Sequence, residues 1–292
     1  MLAECISGLN INPSGTYVDV TFGGGGHSTE ILKHLGPDGR LLAFDQDEDA
    51  KQNLIDDSRF TFIDQNFRFM KNFCRLHDAL PVDGILADLG VSSYQFDQAE
   101  RGFSIRFDAE LDMRMNQQSG ISAKEVINNY SEAELHRIFG VYGEIQNAKS
   151  LANTIVTYRL NGPINTIADL KNAIVNRIPK GKENKYLAQV FQALRIEVNQ
   201  ELEALKEFLM QTATVIVSGG RLVVMSYHSL EDRLVKNFIA KGKFSGELEK
   251  DLYGNDNRPF EAVSRGAITA SEEEIKINNR ARSAKLRIAV KR

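Results

Sequence analysis

Four consecutive glycines, Gly23 to Gly26, separate the apolar run "TYVDVTF" from an amphipathic stretch opened by His27, within "YVDVTFGGGGHSTEIL". A backbone this bare lets a ligand approach closely, and the start of the following helix offers unpaired N–H groups. A dinucleotide calls for GxGxxG, but here the third glycine position falls on Ser28 or Thr29, and the phosphate loop GxxxxGK[ST] is absent. A ligand without phosphate at this point, such as S-adenosylmethionine, fits better; the plain alternative is a tight turn with no ligand. Asp45 ends "RLLAFD" 19 residues past Gly26, where a carboxylate accepts hydrogen bonds from ribose hydroxyls of either an NAD or an adenosylmethionine nucleoside. Asp88 in "VDGILADLG" sits where a fourth strand meets the carboxyl edge of its sheet, the usual ligand edge of open α/β folds. The competing account of Asp88 is a loop cap. Asp47 and Asp49 read as solvated or capping residues.

The elements that must position these groups alternate. "TYVDVTF" (16–22), "RLLAFD" (40–45), "RFTFID" (59–64) and "VDGILADLG" (82–90) have strand character. Helical patterns over 27–35, 48–55 and 67–80 lie between them, which predicts a parallel sheet with helical crossovers. Residues 91 to about 120 break this rhythm; a connection of that length is functional or disordered, and its aromatics and charge pairs argue against disorder. Helices near 122–130, 132–140, 147–160, 167–177 and 185–215 follow, several announced by capping boxes such as Ser122 with Glu125 and Ser131 with Glu134. Strand pattern returns at "GGRLVVMSYHS" (219–229), then a helix from Leu230 to about Ala240 and two late strands in "FEAVSRGAI" and "AKLRIAVKR". The expected fold is therefore a doubly wound, Rossmann-like α/β core split after its fourth strand by an all-helical insert. The core is expected over 1–104 and 205–292, the insert over 105–204.

With 292 residues, 42% of them hydrophobic, the chain can bury a large core, and no window approaches the roughly 20 apolar residues of a membrane span. No signal peptide is visible, so a soluble, cytoplasmic protein without a membrane partner is expected. Cys5 and Cys74 lack CxxC spacing and read as buried thiols, with no metal site expected. A net charge of −3 gives no global field for nucleic acid, so binding would use a local patch. One such patch is the run from Ile275 to Arg292, which carries Lys276, Arg280, Arg282, Lys285, Arg287, Lys291 and Arg292 and no acid; a solvated strand face explains it equally. A sparser group, Arg177, Lys180, Lys182 and Lys185, surrounds Pro179 and Gly181.

Six stretches carry a resemblance: "GTYVDVTFGGGGHS", "VDGILADLGVSSYQFDQAERGFS", "LDMRM", "VFQALRIEVNQEL", "GGRLVVMSYHSLEDRLVK" and "NNRARSAKLR". In order and across nearly the whole chain, they resemble the bacterial ribosomal RNA small subunit methyltransferase H, or MraW, family. The resemblance implies a class I methyltransferase core that uses S-adenosylmethionine to methylate the exocyclic N4 of one cytidine at the decoding centre of 16S rRNA in the small ribosomal subunit. It carries cofactor roles onto Gly25, Gly26 and His27 in the turn, Asp45 at the ribose, Phe67 beside the adenine, and Asp88 and Gln95 around the cofactor. Two departures stand out. The usual "HxPVL" segment ahead of the first helix is not seen, the chain opening at "MLAECISGLNI", and the familiar "SSPQ" reads "SSYQ", with Tyr94 in place of proline.

Methyl transfer to an aromatic amine requires the base to be held, the amine aimed and a proton accepted. Asp88, or a backbone carbonyl of 88–90, is placed for the proton; the amino-methyltransferase tetrapeptide ending Pro-Pro-Tyr is absent and "DLGV" stands in its place. His228 lies on the same edge as a relay or RNA contact, or else bonds the following loop, and Ser229 reads as the cap of the next helix. A target base must leave its stack, so stacking from Tyr94, Phe103 and Phe107 and charge from Arg106, Arg114, Arg280 and Arg282 are expected around it. Asp112 and Arg114 either order the long loop, touch the target nucleotide or form a structural ion pair. The insert would supply a second wall for RNA. No DNA partner is expected, and a homodimer is left open. An NAD-dependent oxidoreductase and a non-catalytic RNA-binding module remain the alternatives, separable by which cofactor binds and whether a methyl group moves.

Overall fold

The computed structural model describes residues 1–250, 253–254 and 256–292, with Ser93 described by its backbone alone. It divides into two compact units, Met1–Gly90 with Leu202–Arg292, and Val91–Glu201. The divisions thus fall after Gly90 and Glu201 rather than at the expected 104 and 204. The reason lies in the long loop: Leu111, Met113 and Phe103 are buried in the hydrophobic core of the helical unit, and Arg101 donates to the carbonyls of Arg114 and Met115.

The first unit begins with α1 (Leu2–Leu9), a helix that the sequence reading leaves unassigned. It continues through β1 (Thr16–Asp19), α2 (Gly26–His34), β2 (Arg40–Asp45), β3 (Phe60–Asp64), α3 (Met70–Leu76) and β4 (Val82–Asp88). The helix expected over 48–55 is a 3₁₀ segment, Glu48–Asn53, started by Asp47, whose side chain accepts from Asp49 N. That expected over 67–80 is a 3₁₀ turn, Phe67–Phe69, running into α3.

The second unit holds α4 (Ser93–Asp97), α5 (Ala123–Asn129), α6 (Glu132–Val141), α7 (Ala148–Tyr158), α8 (Ile167–Ile174) and α9 (Glu183–Asn199). The capping boxes expected at Ser122 and Ser131 are formed, and Thr166 with Asp169 forms another at the start of α8. Its core packs Phe139, Ile138, Leu151, Ile155, Leu170 and Leu194 at zero exposure. The continuous helix expected over 185–215 is broken at Gln200, whose left-handed φ of 50° ends α9 ahead of α10 (Glu201–Val215). No glycine or proline marks this break.

The chain then completes the sheet with β5 (Ile216–Ser226), α11 (Ser229–Lys241), β6 (Phe260–Ala262), β7 (Ile268–Thr269), α12 (Glu272–Ile277) and β8 (Lys285–Lys291). The strand order is β3-β2-β1-β4-β5-β8-β6, with β7 also on β8; β1 to β5 are parallel and β8 is antiparallel to β5. The order reverses between β1 and β4, which opens a crevice at their carboxyl ends. Tyr17 on β1 pairs with Gly84 on β4, and a Cβ at Gly84 would lie 2.8 Å from the Tyr17 ring, so only glycine lets this aromatic lie across the strand. Tyr17, Leu41, Ile85, Leu86 and Val223 are fully or almost fully buried, which fixes the sheet on which the crevice stands. Among the described residues no helix is long and apolar enough to cross a membrane.

Candidate functional site

At the end of β1 the chain must turn sharply to enter α2. Gly23 (φ 48°) and Gly25 (φ 75°) adopt the left-handed conformation that side chains resist, and Gly25 is the N-cap residue of α2. A Cβ at Gly25 would lie 3.1 Å from the Phe22 ring, whereas one at Gly24 or Gly26 would meet nothing within 4 Å. Two of the four glycines therefore make the turn, and the other two leave its outer surface bare.

Three carboxylates gather at this turn. Asp19, at zero exposure, accepts from Ser28 Oγ at 2.7 Å and from Thr21 N at 3.1 Å, tying the strand end to the first turn of α2. Asp45 accepts from Gly23 N at 2.7 Å and from Asp47 N at 2.9 Å. Each of its oxygens retains acceptor capacity, since a carboxylate oxygen takes two partners. Burial pushes the Asp45 carboxyl up to about 6 despite those two N–H donors, and the neighbouring charges of Asp47 and Asp19 push the same way.

Asp88 ends β4 with its own N–H donating to Thr21 Oγ1 at 2.7 Å. Its Oδ1 accepts from the Tyr227 phenol at 2.8 Å, and its Oδ2 lies 3.8 Å from His27 Nδ1. Burial raises the Asp88 carboxyl to about 6, opposed by His27 and by the Tyr227 hydrogen bond and reinforced by Asp19 and Glu231. On the far side of the His27 ring, Nε2 is buried and has no hydrogen-bond partner among the described residues. A buried polar atom without a partner is costly and marks where a ligand atom belongs. Together with the bare surface at Gly24 and Gly26 and the acceptor at the end of β2, it makes this turn fit the polar and ribose parts of an adenosylmethionine molecule.

The remaining expected site residues fall in different places. Phe67 opens the turn after β3, its ring edge-on to Phe208 at 5.5 Å. His228, not Ser229, is the N-cap of α11: its Nδ1 accepts from Glu231 N at a long 3.5 Å. Its Nε2 lies 3.2 Å from Glu231 Oε1 in a geometry that makes no hydrogen bond. The imidazole thus caps the start of α11. In the second unit, Gln95 closes a capping box with Ser92, accepting from Ser92 N at 2.9 Å. Phe103 is 4% exposed, so the expectation that it stacks on a base is corrected: its ring is core packing for the insert. Asp112 and Arg114 form a two-point ion pair at 2.9 and 2.8 Å, the structural reading of "LDMRM". Tyr94, Arg106 and Phe107 are exposed there, as are Arg280 and Arg282 beside β8 in the first unit. Within the basic C-terminal run, Lys285 and Arg287 are engaged by Asp232 and Arg292 by Asp256. The basic run is therefore partly neutralised.

Asp19 and Tyr227 were missed. Asp19 carried a signal, an acid inside the apolar "YVDV"; Tyr227 carried none beyond its place next to His228, because its partner lies 139 positions away.

Residues 1–292, the whole chain, match the model of the MraW methylase family. A protein of Christiangramia forsetii named ribosomal RNA small subunit methyltransferase H is 60% identical, the match covering 100% of this chain and 96% of that one. Proteins of the same name from Flavobacterium johnsoniae and Bacteroides fragilis are 58% and 55% identical, each over 100% of this chain and 96% of theirs.

Proposed function

Because this chain belongs to the MraW methylase family, we propose that it uses S-adenosylmethionine to methylate the exocyclic N4 of one cytidine in the decoding centre of 16S rRNA, within the small ribosomal subunit. The names of its relatives support the RNA class. The observation that carries the chemistry is Asp88, a desolvated carboxylate at the carboxyl end of β4, beside the bare turn into α2 and bonded by Tyr227.

Gly25, Gly26 and His27 would receive the amino-acid end of the cofactor, Asp45 the ribose hydroxyls and Phe67 the adenine face. When bound, the cofactor supplies a methyl group made electrophilic by its sulfonium. An amine that accepted this methyl group would be left with a proton to lose. Asp88 Oδ2 takes it: a carboxylate raised to about 6 is a stronger base than an ordinary one and is still ionised at neutral pH. Positioning supplies most of the rate, since an amine conjugated to its ring reacts only when correctly aimed. Exposed Tyr94, Arg106, Arg280 and Arg282 are proposed contacts to RNA bases and phosphates. With an rRNA substrate, the proposed site of action is the cytoplasm.

The test is incubation with labelled S-adenosylmethionine and small ribosomal subunits from cells lacking this activity, followed by nucleoside analysis and primer extension. Label in N4-methylcytidine at one decoding-centre position is the expected result. Tight cofactor binding without transfer to RNA would overturn the substrate assignment.

A further inference from the structure

We propose that Tyr227 is a positioning residue for methyl transfer, its phenol holding the Asp88 carboxylate so that one oxygen is occupied and the other is presented to the substrate amine; this rests on the reading of Asp88 as proton acceptor.

Tyr227 is fixed from several sides. It directly follows β5, whose register sets Met225 opposite Asp88, with Leu89 N donating to Met225 O at 2.9 Å. Its backbone N–H donates to Glu231 Oε2 at 3.0 Å, and Glu231 is itself only 3% exposed. Its ring passes over Gly90, where a Cβ would touch it at 3.6 Å. The phenol can therefore aim only where this frame points it, at Asp88 Oδ1, 2.8 Å away. A carboxylate rotates freely about its last bond unless one oxygen is tied. Here Oδ1 is tied, and Oδ2, 3.8 Å from His27 Nδ1, remains for the transferred proton. The phenol cannot take the proton itself: burial and the adjacent Asp88 charge hold it far above the usual tyrosine range, so it stays a donor.

The groups facing Asp88 are His27 from α2, Asp19 from β1, Glu231 from α11, Cys5 from α1 and Tyr227. Of these described groups, His27 and Tyr227 favour its ionised form. Removing the phenol hydroxyl therefore both frees the carboxylate to rotate and moves its titration upward.

The experiment compares wild type, Tyr227→Phe and Asp88→Asn in single-turnover transfer to small subunits across pH, alongside cofactor affinity and thermal stability. For Tyr227→Phe we expect a rate loss of about 10- to 100-fold, the scale of one hydrogen bond to a buried charge. Cofactor affinity should be held, and the acidic limb of the rate profile should move to higher pH. A merely structural tyrosine would not move that limb. Wild-type rate and limb in Tyr227→Phe, with Asp88→Asn inactive, would overturn the role of Tyr227 and leave Asp88 standing. Full activity in Asp88→Asn would overturn the acceptor reading and this proposal with it. Should Tyr227→Phe fail to fold, the ¹³Cζ resonance of Tyr227 in the wild type must step as Asp88 titrates, and the step must vanish in Asp88→Asn; a flat resonance overturns the proposal.

Discussion

In the sheet-bearing unit, burial holds the carboxyls of Asp45 and Asp88 near 6, and the carboxylates Asp19, Asp45 and Asp88 surround one turn, with His27 Nδ1 3.8 Å from Asp88. In the helical unit the carboxyls run the other way. Backbone and side-chain donors of Ser122 hold Glu125 below its ordinary range, the N–H groups of Asn165 and Thr166 do so for Asp169, and for Asp112 the bonds from Arg114 outweigh burial. Buried polarity in the insert is spent on its own caps and loop ties. At the carboxyl edge of the sheet it is left partly unanswered, which costs folding free energy and leaves donors and acceptors prearranged for a ligand.

The largest effect expected from breaking this comparison is in the insert. Phe139→Ala empties a fully buried aromatic site and should cost about 3–5 kcal/mol. Because Phe139 belongs to the core of the helical unit alone, amide exchange should accelerate across α5 to α9 while β1, β2 and β4 keep their protection. Loss of protection in all five parallel strands would show that the two cores unfold as one.

The comparison is sharpened by pH. A folded value near 6 for Asp88, above the ordinary 3.8, means that the folded chain binds the proton more tightly than the unfolded one. Its contribution therefore falls as pH rises from about 4 to about 6. Asp88→Asn removes that loss, so the variant should gain on the wild type through this window, by on the order of 3 kcal/mol at neutral pH. Asp112→Asn should behave oppositely: with a lowered folded value, the wild-type advantage is present above the ordinary carboxyl range and disappears as pH falls below it. Denaturant titrations at stepped pH measure both, and parallel profiles for the two variants would sink the distinction. Smallest is Ser122→Ala, which removes the side-chain acceptor for Glu125 N at the start of α5 and should cost about 1 kcal/mol, read as a shift in the denaturation midpoint.

Local chemistry in the sequence determined much of this molecule. Glycines at 23 to 26 announced a bare turn, two of them, Gly23 and Gly25, taking a conformation that side chains resist; short apolar runs announced β1 to β4; serine followed by glutamate announced the starts of α5 and α6. Asp45 and Asp88 could be picked out because each ends such a run. What the sequence did not carry was pairing between distant positions. The Tyr227 bond to Asp88 spans 139 residues, the break at Gln200 has no local breaker, and the long loop joins the insert because Leu111, Met113 and Phe103 find its core. Phe103 and Arg114 looked like RNA contacts by type alone. Tertiary packing decided that the first is core, since burial depends on what the rest of the chain brings alongside, while the second is held by Asp112 two residues away, a pairing the sequence itself offered.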